Sequence, residues 1–317
     1  MNERLRRDKR IEDALAKRMD SRKGMRACAT LEGGRILSGR VIAPDGVDMS
    51  HVFEIKKTPN PNKMKFLKDK TDIGLFSEEN GGYVWGLFKS SETMEKQWCD
   101  ANLSQSDLAR LIYLGTFTDY EGVLRQANGR AITKESMQGL VGIHRTKFNV
   151  FYRKLTTASI IRATDDGYIQ MSGEVFQRGK IASGEYVDRI RIYRDTVREL
   201  YEKYGKGRSV SQLGIIYSVI PFIHRNINLI CYNPMEKHDD DIRPITLDKL
   251  ALMLGYQNAA KFKQALRGIE INNQPVFAFV EDVHDSRKRR IIVNPRVIFA
   301  GDFEGLTACR GIAILFN

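Results

Sequence analysis

No run of apolar residues in this 317-residue chain approaches the ~18 needed to cross a bilayer. The first twenty residues, MNERLRRDKRIEDALAKRMD, also lack the apolar centre of a secretion signal. A cytoplasmic protein associated with the bacterial nucleoid, with no membrane partner, is therefore the expectation. Cysteine is scarce: Cys28, Cys99, Cys231 and Cys309 are far apart and form no C-x-x-C pair, which argues against a zinc ribbon and a dense disulfide framework. The five histidines, His51, His144, His224, His238 and His284, make neither H-x-H nor H-E-x-x-H. A phosphate loop of the form G-x-x-x-x-G-K-[ST] is missing, and the serines of GRSVSQLG lack nucleophile-elbow spacing. Asp239, Asp240 and Asp241 are consecutive, so their carboxylates point in different directions and make a poor metal site. The expectation is a protein that is not an enzyme and that carries no catalytic residue, cofactor or metal.

Acid is the other shortage. Lys and Arg number 51 against 39 Asp and Glu, a net charge of +12, in a chain that is 42% hydrophobic and can bury real cores. Such an excess points to a polyanion. It is concentrated toward the front, with 31 basic and 23 acidic residues before position 181 and 20 against 16 after it. Residues 1–30 read as a basic arm, either solvated or tracking phosphates. Residues 31–82 read as a small β-hairpin around Ile36, Val41 and Ile42 followed by a loop, KKTPNPNKMKFLKDK, with six lysines and two prolines.

Strong patterning begins at Tyr83. SQSDLARLIYLGTF, capped by Ser104 or Ser106, places Leu108, Leu111, Ile112 and Phe117 at helical spacing. Thr133 and Glu135 open a short second helix that ends at the Gly142 turn. A third helix follows, with Phe148, Phe151 or Tyr152, and Leu155 facing inward. Its other side carries Arg145, Thr146, Lys147, Asn149, Arg153 and Lys154, and no acid occurs from His144 to Thr157. Asp166-Gly167 then suggests a two-residue hairpin turn. Helix, short helix, glycine turn, basic helix and hairpin is the layout of a winged helix-turn-helix. A helix about 10–12 Å wide fits a major groove about 12 Å wide, and acid-free residues on its outer face meet phosphates without repulsion.

The segments GGRILSG, SDLARLIYLGTF and LVGIHRTKFNVFYRKLTTASII, with Leu140, Gly142, Ile143, Phe148, Tyr152, Arg153, Lys154 and Leu155 in pattern, make residues 31–180 resemble the RepL-type plasmid replication proteins. These are similar in turn to MarR-like winged-helix DNA binders. The resemblance implies a plasmid or phage replication initiator, or a transcription regulator, that reads an origin or operator and works with host replication or transcription proteins.

The remainder reads as a second copy of the same design. Ile112, Ile132 and Phe148 recur as Ile216, Ile245 and Phe262, at offsets of 104, 113 and 114 residues. In this copy Asn258 caps a third helix offering Lys261, Lys263, Gln264 and Arg267. A larger wing carries Arg287, Lys288, Arg289 and Arg290 at its tip, and the tails GEVFQRG and PRVIFAG correspond. Between the copies comes a strand over Tyr186 to Tyr193 and a helix, capped by Asp195 or Thr196, with Val197, Leu200, Tyr201 and Tyr204 on one face. That helix is a coupling element, a completed core or a homodimer seam. The expected class is α+β: a basic N-terminal arm and tandem winged helix-turn-helix domains at 83–182 and 209–317, joined by a connector strand and helix at 183–208.

The expected partner is double-stranded DNA. Bases would be read by Arg145, Thr146, Lys147 and Asn149 beside His144. Phosphates would be met by Arg153, Lys154 and Arg287 to Arg290, with Lys261, Lys263, Gln264 and Arg267 as the second copy's contacts. The alternative is a non-catalytic scaffold, polymerase- or phage-associated, that uses winged folds to hold protein partners.

Overall fold

The computed structural model describes residues 35–37, 40–42, 73–88, 101–179, 188–207, 209–280, 290–301 and 313–316. The chain divides into two compact units, Met1–Phe76 and Ser77–Asn317. In the first, β1 (Arg35–Leu37) pairs antiparallel with β2 (Arg40–Ile42), Ile36 opposite Val41, where the alternating sequence placed a hairpin. The basic arm at 1–30 and the lysine-rich stretch at 56–70 lie outside the described residues. A short helix, α1 (residues 73–79), leads into the second unit.

That second unit is mixed α+β, made of short helices and small antiparallel sheets. Its centre is a four-stranded antiparallel sheet in the order β12 (Ile298–Phe299), β7 (Asp188–Tyr193), β3 (Tyr83–Phe88), β6 (Phe176–Gln177). The register places Val84 opposite Ile192, and Gly86 opposite both Ile190 and Phe176. With a period of two, Val84, Ile190, Ile192, Ile298 and Phe176 share the face that joins the main core. The topology has two-fold character: each half of the chain gives one central strand and, from its tail, one edge strand.

Each half also contributes three helices and a hairpin. In the first half these are α2 (Gln105–Gly115), α3 (Lys134–Val141), α4 (Arg145–Thr157) and the hairpin β4 (Ile161–Ala163) with β5 (Ile169–Met171). Ser104 caps α2 in a capping box with Asp107, and Thr133 caps α3 in one with Ser136. Gly142, at φ 65°, ends α3 in the left-handed conformation that a side chain would strain. The hairpin loop is one residue longer than the Asp-Gly dipeptide suggested. Asp165, Asp166 and Gly167 form it, the Gly167 N–H donating to Thr164 O at 2.9 Å and the Thr164 N–H to Tyr168 O at 2.8 Å, with Gly167 at φ 78°.

In chain order, the helix after β7 is α5 (Arg194–Tyr204). The second half then supplies α6 (Val210–Ser218), α7 (Leu247–Met253), α8 (Ala259–Arg267) and the hairpin β10 (Phe277–Val280) with β11 (Arg290–Val293). Its backbone repeats bonds of the first half. Phe117 O accepts from the Arg125 N–H, and Phe222 O from the Cys231 N–H, both at 2.8 Å. Leu124 N–H donates to Ile169 O as Ile230 N–H does to Ile291 O, both at 2.9 Å. Ile132 N–H donates to Leu124 O at 2.8 Å, and Ile245 N–H to Ile230 O at 3.0 Å. An added hairpin, β8 (Glu270–Ile271) with β9 (Gln274–Pro275), turns on Asn272 and Asn273 at φ 50° and 61°.

Besides the shared sheet, helix contacts fuse the halves. Helices α2 and α6 pack so closely at Gly214 that a Cβ there would stand 2.0 Å from Gln105 O. The helix α5 touches both: Tyr201 Oη donates to Val141 O at 2.9 Å, and Tyr204 Oη donates to Glu270 O at 3.3 Å. Tyr201 also stacks on Tyr113 with ring centroids 4.0 Å apart, and burial pushes its phenol up to about 12. The start of α5 departs from expectation. Neither Asp195 nor Thr196 caps it; Tyr193 is the N-cap residue, with no side-chain cap bond. Strand β7 runs straight into the helix, and the Arg194 and Asp195 N–H groups donate to Gly82 O and Asn80 O instead.

Candidate nucleic-acid interface

The face of α4 is built by its apolar spacing. Phe148, Phe151 and Leu155 are buried, which turns His144, Arg145, Thr146, Lys147, Asn149, Val150 and Arg153 outward, all exposed. His144 is the N-cap residue, and its Nδ1 accepts from the Thr146 N–H at 3.5 Å. No acid lies in the first turn, leaving the positive end of the helix dipole uncompensated. Guanidinium, ammonium and carboxamide groups on one exposed helical face can pair with base edges and phosphate oxygens.

Lys154 stands apart from that face. Its Nζ lies 2.8 Å from Asp107, whose carboxylate is one-tenth exposed and also accepts from Arg110 and from the Ser104 N–H. The lysine expected at a phosphate instead ties the C-terminal end of α4 to the N-terminal end of α2. Periodicity alone missed this, because position 154 lies at the margin of the buried stripe.

Two residues beside the predicted set were not singled out from the sequence. Val150 is 43% exposed on the same face, where its methyl groups could meet a thymine methyl. Lys134, exposed at the start of α3, holds its Nζ 4.6 Å over the Tyr152 ring. Burial raises the Tyr152 phenol further above neutrality, with the Glu135 charge adding to the shift. Between the end of α4 and the β4–β5 hairpin lies an open cleft of about 470 Å³, its rim bearing Thr156, Ser159, Arg162, Gln170 and Ser172. Arg162 Nε donates to Gln170 Oε1 at 2.9 Å and so is held at the mouth. The tip of this hairpin is acidic, with Asp165 and Asp166 both exposed.

On α8, Phe262 and Leu266 are buried, and Lys261, Gln264 and Arg267 are exposed. Asn258 caps it, accepting from the Lys261 N–H at 3.0 Å. Lys263 is half-buried with its Nζ 5.5 Å over Phe279, and Arg267 crosses the same ring at 5.6 Å. The helix opens on Ala259 and Ala260 ahead of Lys261, and the neighbouring α7 exposes Leu252 and Met253, at 75% and 44%. Arg290 is exposed at the start of β11; Arg287, Lys288 and Arg289 lie outside the described residues. Among the described residues no cluster of His, Cys, Asp or Glu could hold a metal, and no helix is long and apolar enough to cross a membrane. No protein-family model, curated protein or solved structure matches the chain.

Proposed function

We propose that the chain is a site-specific double-stranded DNA-binding protein made of two winged helix-turn-helix units, residues 83–182 and 209–317. It would act at an origin or an operator, as a replication initiator or a transcription regulator. One observation carries the reading: α4 presents His144, Arg145, Thr146, Lys147, Asn149 and Arg153 together on an exposed face, with no acid between residues 144 and 157. In that role α4 lies in the major groove. Arg145 and Asn149 are the bidentate readers, each good pair worth about 1–3 kcal/mol of discrimination, and Arg153 meets a phosphate. Asp165 and Asp166 make the tip of the first hairpin a poor phosphate ligand, so Arg162 at its base takes that part. Because α2 and α6 touch at Gly214 and α5 bonds both halves, α4 and α8 are held at a fixed separation, and this reading requires them to reach successive grooves about 10–10.5 base pairs apart.

A second reading has its own support, confined to the second half. Leu252 and Met253 are exposed beside the alanine-led start of α8, a surface better suited to a protein partner such as a host replication or transcription factor. Selection of bound duplexes from a random pool, followed by footprinting, separates the two. Two half-sites one turn apart are expected if both units read DNA, and a single half-site if α8 serves a protein. Absence of enrichment would overturn the proposal.

A further inference from the structure

The C-terminal end of α2 gathers three guanidinium groups that neither DNA reading nor the core explains. Thr116, the C-cap residue, receives two of them. Arg194 Nε donates to its carbonyl at 2.8 Å, while Arg198 donates through Nη2 to the carbonyl at 2.8 Å and through Nε to the hydroxyl at 3.0 Å. Arg198 also lies 4.2 Å over the Phe117 ring. Arg178 is stacked 4.6 Å over Tyr120 and makes no ion pair among the described residues. It is held there by its neighbour: Gly179, at φ 91°, sits so close to Tyr120 that a Cβ would meet the ring at 2.9 Å, and Gly179 O accepts from Trp85 Nε1 at 3.0 Å. Acid is thin around the three. Asp195 reaches Arg198 only at 3.9 Å and is 67% exposed, and Glu202 is felt by Arg198 without forming an ion pair among the described residues. Arg194 is half-buried, and burial first, then the charges of Arg198 and Arg178, lower it to about 10. Arg194 therefore stays charged at neutral pH beside the other two guanidinium groups, which repel it. Each of Arg194 and Arg198 commits only part of its five N–H donors to Thr116, and Arg178 commits none.

We propose that Arg178, Arg194 and Arg198 form a binding site for a phosphate group, separate from the α4 face. The charge is right for a dianion, and planar forks match phosphate oxygens in the bidentate manner that a single ammonium cannot. Arg194 and Arg198 are fixed by the helix end, so they lose little side-chain freedom on binding, and Arg178 lies beside them over the exposed Tyr120 ring. The phosphate belongs either to a small molecule or to a DNA backbone flanking the site read by α4.

Arg178 anchors no helix end, which makes Arg178→Gln the variant of choice and Arg178→Lys its control. The melting temperature of the full chain is followed against inorganic phosphate and against sodium chloride at matched ionic strength. In parallel, affinity is measured for a minimal duplex and for one extended at both ends. A saturable rise in melting temperature with phosphate, several-fold weaker in Arg178→Gln and partly kept in Arg178→Lys, is the result expected for a free phosphate. For a backbone phosphate, the extended duplex gains affinity over the minimal one in the wild type and loses the gain in Arg178→Gln. Absence of both effects overturns the site. The phosphate arm needs no DNA, so its outcome is independent of whether α4 reads a duplex.

Discussion

Replacing Gly214 by alanine sets two physical effects against each other with opposite signs. Gly214 lies inside α6, where alanine is favoured over glycine by about 1 kcal/mol from backbone entropy alone. The structure forbids the gain. A Cβ would stand 2.0 Å from Gln105 O and 2.6 Å from the Gln105 carbonyl carbon, where ordinary contact begins near 3.4 Å. The obstacle is backbone at the start of α2, so no rotamer change relieves it, and the two helices must part by roughly 1.4 Å locally. Overpacking of a tight interior costs typically ~1–3 kcal/mol and at times more. Parting the helices also weakens the Ser218 Oγ to Gln105 Oε1 bond of 3.2 Å. A net loss of about 2 kcal/mol lowers the melting temperature of a unit this size by roughly 4–8 °C. Thermal unfolding followed by circular dichroism reads the sign directly. A melting temperature equal to or above wild type would refute the close approach of α2 and α6, and with it the fixed spacing of α4 and α8.

Lys154→Ala leaves Asp107 at the α2 N-terminus with Arg110 as its remaining ion partner, so the variant should unfold at lower denaturant with a nearly unchanged salt dependence of DNA binding. Arg153→Ala should do the reverse, keeping stability while lowering the salt slope by about 0.9, the share of a single phosphate. Tyr201→Phe removes the bond to Val141 O and should cost about 1 kcal/mol in equilibrium unfolding. Burial pushes the Cys231 thiol up to about 11, so its peptide should resist alkylation in the native protein and label in denaturant, as mapped by mass spectrometry. Because that folded value lies above the unfolded one near 9, the associated stability is whole below pH 9 and is lost as pH rises toward 11.

Local signals carried far in this sequence. Ser104, Thr133 and Asn258 cap the helices they precede, and Phe148, Phe151 and Leu155 face inward as their spacing required. Such features depend on hydrogen bonds and periodicity within a dozen residues, which a single chain displays. Long-range features did not show. The start of α5 looked for a side-chain cap at Asp195 or Thr196, but its first N–H groups are met by residues 80 and 82, more than a hundred positions away. Lys154 was grouped with phosphate ligands because only the fold brings Asp107 beside it. The arginines at Thr116 and Tyr120 come from α5 and from the tail of the first half, and neither segment reads as part of a cluster. The β8–β9 turn was legible in principle, since Asn272-Asn273 is a dipeptide that tolerates positive φ, but it lay close to a longer alternating stretch that drew the wing assignment.

The most direct test of the central claim is affinity for a selected duplex and for duplexes altered one base pair at a time, with wild type and Arg145→Ala. If α4 reads base edges, the wild type should discriminate by about 1–3 kcal/mol at each contacted position, and Arg145→Ala should lose that discrimination at one position while keeping the rest. Equal loss of affinity for selected and random duplexes would contradict it, reducing the exposed face of α4 to a non-specific phosphate contact.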